Sequence, residues 1–576
     1  MKKQINRNIK AHVIRSAFYL LLLLAVCLTP FALAQRNIER IRHVNAPLRR
    51  PNGAALGPAD SVYQAWVARY NPPWNAEDYA KAIAVDTQGN VYVTGDSWGL
   101  GGNYDYATVK YNSVGQQVWV ARYHGPDDGN DQANAIAIDA TGNVYVTGSS
   151  ENSDSYSDWA TIKYNSAGQQ QWVARHSVCP RSHASASAIA VDSSGNPYVT
   201  GVDGDGWGTI KYNSSGEEQW VVHYNSGTPA AIALDQVDNV YVTGGDTDYV
   251  TIKYDSAGHP QWVARYHGPG TGSDYAHAIA IDVSAENIYV TGESAGSGTA
   301  LDYATIKYNP VGQQQWVARY DGPAHSNDHG AAIGVDGSGD VYVTGDSVGL
   351  GTYYDYATVK YDSAGQEQWV ARYNGPASDQ DGATSLAVGN SGNVYVTGYS
   401  RRSLFHNGYA TIKYNSVGQQ EWLARYDDEL DNFAQAIAVD GAENVYVTGR
   451  SLGSNTNYDY ATIKYGQGPS PTSTPSPTAS PTPTPTGTPS VTPTPTSSAT
   501  ASPTPTIVCS PTPTATSSPT PTPSCELLNG LPCPSVTPTA TATATLTTTP
   551  TATSTETPTP RVQPPRRSRP TPAPRP

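Results

Sequence analysis

The chain has 576 residues, with 35 Lys and Arg against 49 Asp and Glu for a net charge of −14. It holds 44 Pro, 53 Gly, 39 Tyr and 12 Trp but only 5 Cys. So acidic a balance excludes nucleic acid as the expected partner. The segment 467–576 is almost wholly Pro, Thr, Ser and Ala, which leaves about 400 residues for a folded core.

Residues 1–34 read as a secretory signal peptide: a basic start (MKKQINRNIK), an apolar run (AFYLLLLLAVCL) and an A-x-A site at Ala32-Leu33-Ala34. The run is short for a membrane span and Pro30 closes it, so the mature chain is expected to carry no transmembrane segment and to be secreted or held at the cell surface. A lipoprotein signal ending at Cys27 is the lesser alternative, because Val26 stands where a small residue is wanted. Removing 1–34 takes away five basic residues and no acid, leaving 30 against 49 and a net charge of −19. Residues 35–59 read as a linker. The mature cysteines are Cys179, Cys509, Cys525 and Cys533; CELLNGLPC invites a Cys525–Cys533 loop, while four cysteines allow three pairings.

From 60 to 466 the chain repeats itself. DYATIKYNPVGQQQWVARY at 302–320 returns at 355–373 as DYATVKYDSAGQEQWVARY, and its Trp recurs at 66, 119, 172, 220, 262, 316, 369 and 422, a period of 42 to 54 residues. Each period holds four runs rich in Val, Ile, Thr and Tyr, as in AIAVD (82–86), VYVTG (91–95), YATVKY (106–111) and VWVARY (118–123). Four strands in about 40–50 residues is the period of a propeller blade. The chain enters on a lone fourth run, YQAWVARY (63–70), and leaves after a third, YATIKY (460–465). The expectation is an all-β fold, an eight-bladed β-propeller of four-stranded blades whose last blade takes its outer strand from the N-terminal end, leaving no free sheet edge. The tight D-x-x-G-N and N-S-x-G turns share one face. Longer connections such as GDSWGLGGNY (95–104) and GPDDGNDQANA (125–135) share the other, where function is expected.

The pattern GNVYVTGxS…DYATIKYNxxGxxxWVARYxGP…AIAVD resembles the bacterial β-propeller repeat abbreviated SBBP, and its AVDxxGNVYVTG hairpin is similar to NHL repeats. The resemblance spans 60–466 and implies a secreted or surface propeller with no established chemistry.

Taking N-S-x-G as a four-residue loop makes Tyr308 face Gln313 and Asp302 face Arg319. The same count pairs Asp105 with Arg122, Asp158 with Arg175, Asp248 with Arg265, Asp355 with Arg372 and, across the closure, Asp459 with Arg69. One blade changes both partners, to Gly206 and His223, while Gly408 opposite Arg425 is an exception. These are read as structural cross-strand ion pairs worth about 0.2–1 kcal/mol each. The alternative is that the acids form a ring of cation ligands.

Trp74 and Trp98 fall outside the repeat, in long-face loops of the first blade beside Tyr104, and these three are the candidates for stacking on a ligand. Weak Ca²⁺ candidates are the acidic loops DDGND, SDQDG and DDELD, through Asp127, Asp128, Asp131, Asp379, Asp381, Asp428 and Asp431, although Asp is also an ordinary turn residue. His183, His325, His329, Arg401, Arg402, Phe405 and His406 depart from the repeat; the HSNDH pair reads as a surface pair because i, i+4 spacing aligns two His only on a helix. No G-x-S-x-G, H-E-x-x-H, P-loop or dinucleotide fingerprint occurs, so no catalytic residue is nominated and no cofactor is expected beyond that Ca²⁺.

From the Gly of VYVTG to the aligned Asp position is ten residues in six blades, but five from Gly201 to Gly206 and four from Gly244 to Asp248. His223 to Ile232 is short as well, nine residues where most copies have fourteen. All three deletions lower the long-loop rim over the third and fourth blades, although loops also lose residues without functional cause. The sequence therefore reads as an exported, non-catalytic binding or scaffold propeller for a polysaccharide or protein. The alternative is a secreted propeller enzyme: a polysaccharide hydrolase or lyase, or a quinoprotein-like oxidoreductase, since the YNSxGxxxW hairpins are similar to eight-bladed quinoprotein dehydrogenases. Residues 467–576 read as a stalk or disordered tail, reaching about 300 Å if extended. Its end, PRVQPPRRSRPTPAPRP, holds five Arg and no acid and suits an anionic envelope.

Overall fold

A computed structural model describes residues 62–468 except 155, 178–182, 205, 283–285, 404–405, 428–429 and 454–456. The expected signal peptide and linker lie outside the described residues, as do all but the first two residues of the tail and Cys179, Phe405 and Asp428.

The described chain forms eight antiparallel four-stranded sheets. Blades one to seven run in order over 78–123, 131–176, 185–224, 228–266, 274–320, 328–373 and 381–426. The eighth joins Asn432–Val439, Val445–Leu452 and Tyr458–Gln467 to the N-terminal strand Val62–Tyr70, which pairs antiparallel with Tyr458–Gln467. Strand one of each blade packs on strand one of the next, and the last on the first, so the ring closes.

Strands two and three carry residues that are buried on both faces, which explains their near-continuous Val, Ile, Tyr and Thr composition. Their apolar cores lie between neighbouring blades: Ala68, Tyr446 and Tyr460 of blade eight share one with Ala80, Val91 and Val109 of blade one. The polar residue at the centre of each sheet is satisfied within it, as where the Thr94 and Thr108 hydroxyls bond at 3.0 Å, and this pairing recurs in all eight blades.

The repeated Trp clasps each blade to the next on the short-turn face. Trp66 Nε1 donates to the Ser113 carbonyl of blade one at 3.2 Å, and Trp119, Trp172, Trp220, Trp262, Trp316 and Trp369 each reach the matching carbonyl one blade on. The N-S-x-G glycine is required there twice over. Gly115 has φ 83° and a Cβ on it would meet the Trp66 ring at 2.7 Å. Blade eight has no such turn, because its third and fourth strands come from opposite ends of the propeller. Gln467 replaces it, and its side-chain oxygen accepts from Trp422 Nε1 at 3.2 Å. The propeller thus runs one residue past the expected boundary at 466.

The strand three to four register differs from the expected one. Tyr308 pairs with Gln314 and Arg319 faces Ala304, because a bulge follows the turn in each of the blades that has it. Asp302 is therefore not directly opposite Arg319 but further along its strand, where the long guanidinium side chain still reaches it.

Deleting 60–70 should lower the melting temperature strongly or cause aggregation, because it bares the edge at Tyr458–Gln467 and removes the Trp66 clasp. Thermal unfolding followed by light scattering checks this; an unchanged melting temperature contradicts the closure.

Candidate functional site

Six ion pairs tie strand three to strand four on the long-loop face. The N–O distances are 2.8 Å for Arg122–Asp105 and Arg319–Asp302, 2.9 Å for Arg175–Asp158, 3.0 Å for Arg372–Asp355 and Arg69–Asp459, and 3.7 Å for Arg265–Asp248. Asp105, Asp302, Asp355 and Asp459 are buried, so these are not exposed surface pairs. Each arginine also crosses to the preceding blade: Arg122 Nη1 donates to Tyr70 Oη at 2.9 Å. Within its own blade Nη1 donates to Ser97 Oγ at 2.5 Å and Nη2 to the Ser97 carbonyl at 2.9 Å. The bond from arginine to the preceding blade's tyrosine recurs from Arg69, Arg175, Arg265, Arg319, Arg372 and Arg425. Removing one partner leaves a charge largely out of water, which costs about 3–5 kcal/mol when fully buried and less at these partly buried sites.

The two aberrant blades keep the clasp with other residues. In blade seven a Cβ on Gly408 would lie 1.7 Å from Asp427 Oδ1, and Asp427 pairs with Arg425 at 2.8 Å, so its carboxylate takes the place of the missing one. In blade three, Asp203 replaces the serine of VTGxS and meets His223 at 2.8 Å and His176 at 3.8 Å. Burial alone would raise Asp203, yet the two imidazoles hold it down at about 2. The Asp203 contact in turn raises His223 above its ordinary value.

Trp74, Trp98 and Tyr104 come together. Trp74 Nε1 donates to the Trp98 carbonyl, the Arg122 guanidinium lies 5.2 Å from the Trp74 ring, and Trp98 meets Tyr104 edge-on at 4.8 Å. The cluster extends further than the sequence reading placed it. Tyr104 packs on Tyr79 at 5.9 Å and Tyr79 on Tyr458 at 5.9 Å. The Arg450 guanidinium stands over Phe433, Tyr458 and Tyr79 at 4.5, 5.2 and 5.3 Å, and Phe433 meets Tyr399 at 5.7 Å. This half-buried wall spans blades seven, eight and one. Tyr104 donates to Glu77 at 2.9 Å, and burial together with that carboxylate pushes its phenol up to about 12. Tyr399 and Arg450 both occupy the variable position of VTGxS, and comparison of that column among copies is the signal that would have found them.

Rim height varies as the loop lengths foretell. Strands two and three have seven residues each in blade three and six each in blade four, against eight or more in every other blade. Blade seven is tallest, with ten and nine. In an eight-membered ring, blades three and four lie across from blades seven and eight.

Of the acidic-loop candidates, Asp127 is exposed, Asp128 holds His124 Nε2 at 2.6 Å, and Asp379 lies 3.7 Å from Arg401. Asp381 accepts from the Gly375 and Arg401 amides, and Asp431 from the Asn407 amide. Asp131 joins Asp105 and His124, with ligand atoms of all three within 4.8 Å of one another. The clusters that could hold a metal are thus assembled between blades, from an Asp in or just before strand three, the residue after strand four and the next blade's strand-one Asp, rather than within one loop. Three occur among the described residues: Asp105–His124–Asp131, Asp248–His267–Asp274 and Asp302–Asp321–Asp328. His325 holds Asp321 at 2.6 Å and His329 holds Asp346 at 2.9 Å, so the HSNDH pair does not converge on one centre. A cavity of about 530 Å³ lies on the opposite face between the turns at Asp86 and Asp139; it is lined by repeat residues and stands apart from the aromatic wall.

A family model described as SBBP, beta-propeller repeat, matches residues 75–102 and 121–154, so those two stretches are similar to that repeat. No curated protein matches it. Among solved structures it is similar to a protein of unknown function from Bacteroides caccae, at 13% identity over 49% of this chain and 93% of that one with a TM-score of 0.31. It is also similar to the Dos1 propeller, at 9% identity over 71% and 95% with a TM-score of 0.45. A protein from Lactobacillus plantarum matches at 13% identity over 60% and 97% with a TM-score of 0.40.

Asp427→Ala should destabilise the propeller by about 1–3 kcal/mol. Adding Gly408→Asp should restore most of that loss in denaturant melts, whereas no recovery would show that the two carboxylates do not share one role.

A histidine raised on folding stabilises the fold below its unfolded pKa of about 6.5 and loses that contribution as pH rises through the raised value. Asp203, held low, keeps its own contribution above about pH 4 and loses it only towards about pH 2. The gap in melting temperature between wild type and His223→Gln should accordingly be wider at pH 5.5 than at pH 8.5. Equal gaps would remove the charge from this contact.

Proposed function

We propose that the protein is an exported, non-catalytic binding propeller whose ligand, an elongated polysaccharide or an extended protein segment, lies across the long-loop face. The reading is carried by one observation: the aromatic wall over blades seven, eight and one stands across the ring from the lowered rim over blades three and four. A low entry and a tall aromatic back make a groove. Aromatic faces stack on the apolar faces of sugar rings or on side chains, and the phenol and guanidinium groups supply polar contacts. Export rests on the signal-like N-terminus. Residues 467–576 would act as a spacer, with their arginine-rich end against an anionic envelope.

Affinity electrophoresis against neutral and acidic polysaccharides identifies a retained probe. For that probe, Trp98→Ala and Phe433→Ala should each weaken retention about tenfold or more, as loss of a stacking anchor does. Grafting a ten-residue loop between 201 and 206 should block it. Undiminished retention by all three folded variants would place the ligand elsewhere.

A further inference from the structure

At five of the eight blade junctions an Asp in or just before strand three and the next blade's strand-one Asp flank the residue that follows strand four. That middle residue is Asn71 between Asp459 and Asp78, His124 between Asp105 and Asp131, His267 between Asp248 and Asp274, Asp321 between Asp302 and Asp328, and Asn374 between Asp355 and Asp381. An imidazole puts a ring nitrogen where a third carboxylate would stand: His124 Nδ1 lies 3.0 Å from Asp105 and His267 Nδ1 lies 3.0 Å from Asp248. An asparagine is neutral. Among the five, the junction of blades five and six alone sets three carboxylates together.

Those three carboxylates are half used. Asp302 Oδ2 accepts from Arg319 at 2.8 Å and from Thr299 at 3.1 Å, Asp328 Oδ2 accepts from the Gly322 amide at 2.6 Å, and Asp321 Oδ2 meets His325 Nδ1 at 2.6 Å. In all three residues Oδ1 is buried without a hydrogen-bond partner. Asp302 is 4% exposed and Asp328 0%. Burial pushes the Asp328 carboxyl up, although the Ser347 hydroxyl and the Gly322 amide offset part of that. Buried carboxylate oxygens without a hydrogen bond are costly in any protein, and a cation removes that cost.

We propose that Asp302, Asp321 and Asp328 bind one calcium ion between blades five and six. The three residues each offer an oxygen, and these lie within 4.8 Å of one another. Two oxygens bound to one Ca²⁺ at about 2.4 Å each can be at most about 4.8 Å apart, so the spacing fits a single ion. An all-carboxylate set is hard and oxygen-only, which suits Ca²⁺ over Zn²⁺ or Cu²⁺. Water completes the shell, since Asp321 reaches the surface with its side chain 27% exposed. Blade seven shows why the residue after strand four is not sufficient. Asp427 occupies that position there, but the flanking residues are Gly408 and Asn432, and Asp427 turns to Arg425 instead.

The test uses full-length protein stripped with EDTA, then titrated with CaCl₂ by calorimetry and by thermal shift. Wild type should bind one Ca²⁺ with a Kd near about 10⁻⁴ M, as extracellular modules do, and melt several degrees higher, with a smaller response to MgCl₂. Asp321→His and Asp321→Asn copy what the other junctions carry, so both should fold, melt no lower than stripped wild type and lose the calcium response at least tenfold. No heat and no shift for wild type at 5 mM CaCl₂ overturns the proposal. A response that survives in either folded variant also overturns it, because the ion would then lie elsewhere.

Discussion

In five blades the strand-four arginine sits where four acceptors converge: a serine hydroxyl and carbonyl from strand two, an aspartate from strand three and a tyrosine hydroxyl from the blade before. Arg69 shows the extreme case, with all five N–H groups engaged by Asp459, Ser451 and Tyr426. It lies on the N-terminal strand, so one guanidinium fastens that strand to its own blade and to blade seven. With the Trp clasp on the opposite face, it makes every blade edge dependent on its neighbours. A ring of this kind is stable only when complete, which is why a chain that begins on a fourth strand must end on a third.

The clasps also decide where the protein is free to vary. The short-turn face is committed to Trp-on-Gly contacts, and the strand interiors are buried on both sides. Only the long-loop ends escape, and there the copies differ in length, charge and aromatic content. The aromatic wall, the lowered rim and the three-carboxylate junction are departures from the repeat at that face, each in a different sector of the ring. Symmetry builds the scaffold, and the proposed recognition rests on the places where that symmetry breaks.

The blade count, the closure and the strand order were legible because they rest on period, β-type composition and turn chemistry, all local properties. The arginine–aspartate partners were legible as well, although their register was not, since a bulge adds a residue that no turn rule announces. Apparent losses misled in a consistent way. Gly408 reads as an exception to the ion pairs, yet Asp427 fills that position; at Gly389, which the sequence reading passed over, Glu443 of the next blade meets the Ser391 and Asn393 groups that a turn aspartate would hold. The acidic clusters were sought as runs within one loop, but they form from residues on successive blades, a proximity that only the ring creates.

Native-state hydrogen exchange of the propeller, resolved by peptide, tests the central claim that the blades are clasped into one cooperative ring. The eight VYVTG-type strands should exchange through a single global opening, with Val62–Tyr70 protected as well as its partner Tyr458–Gln467. Early, independent exchange of the N-terminal strand or of any one blade under native conditions would contradict it.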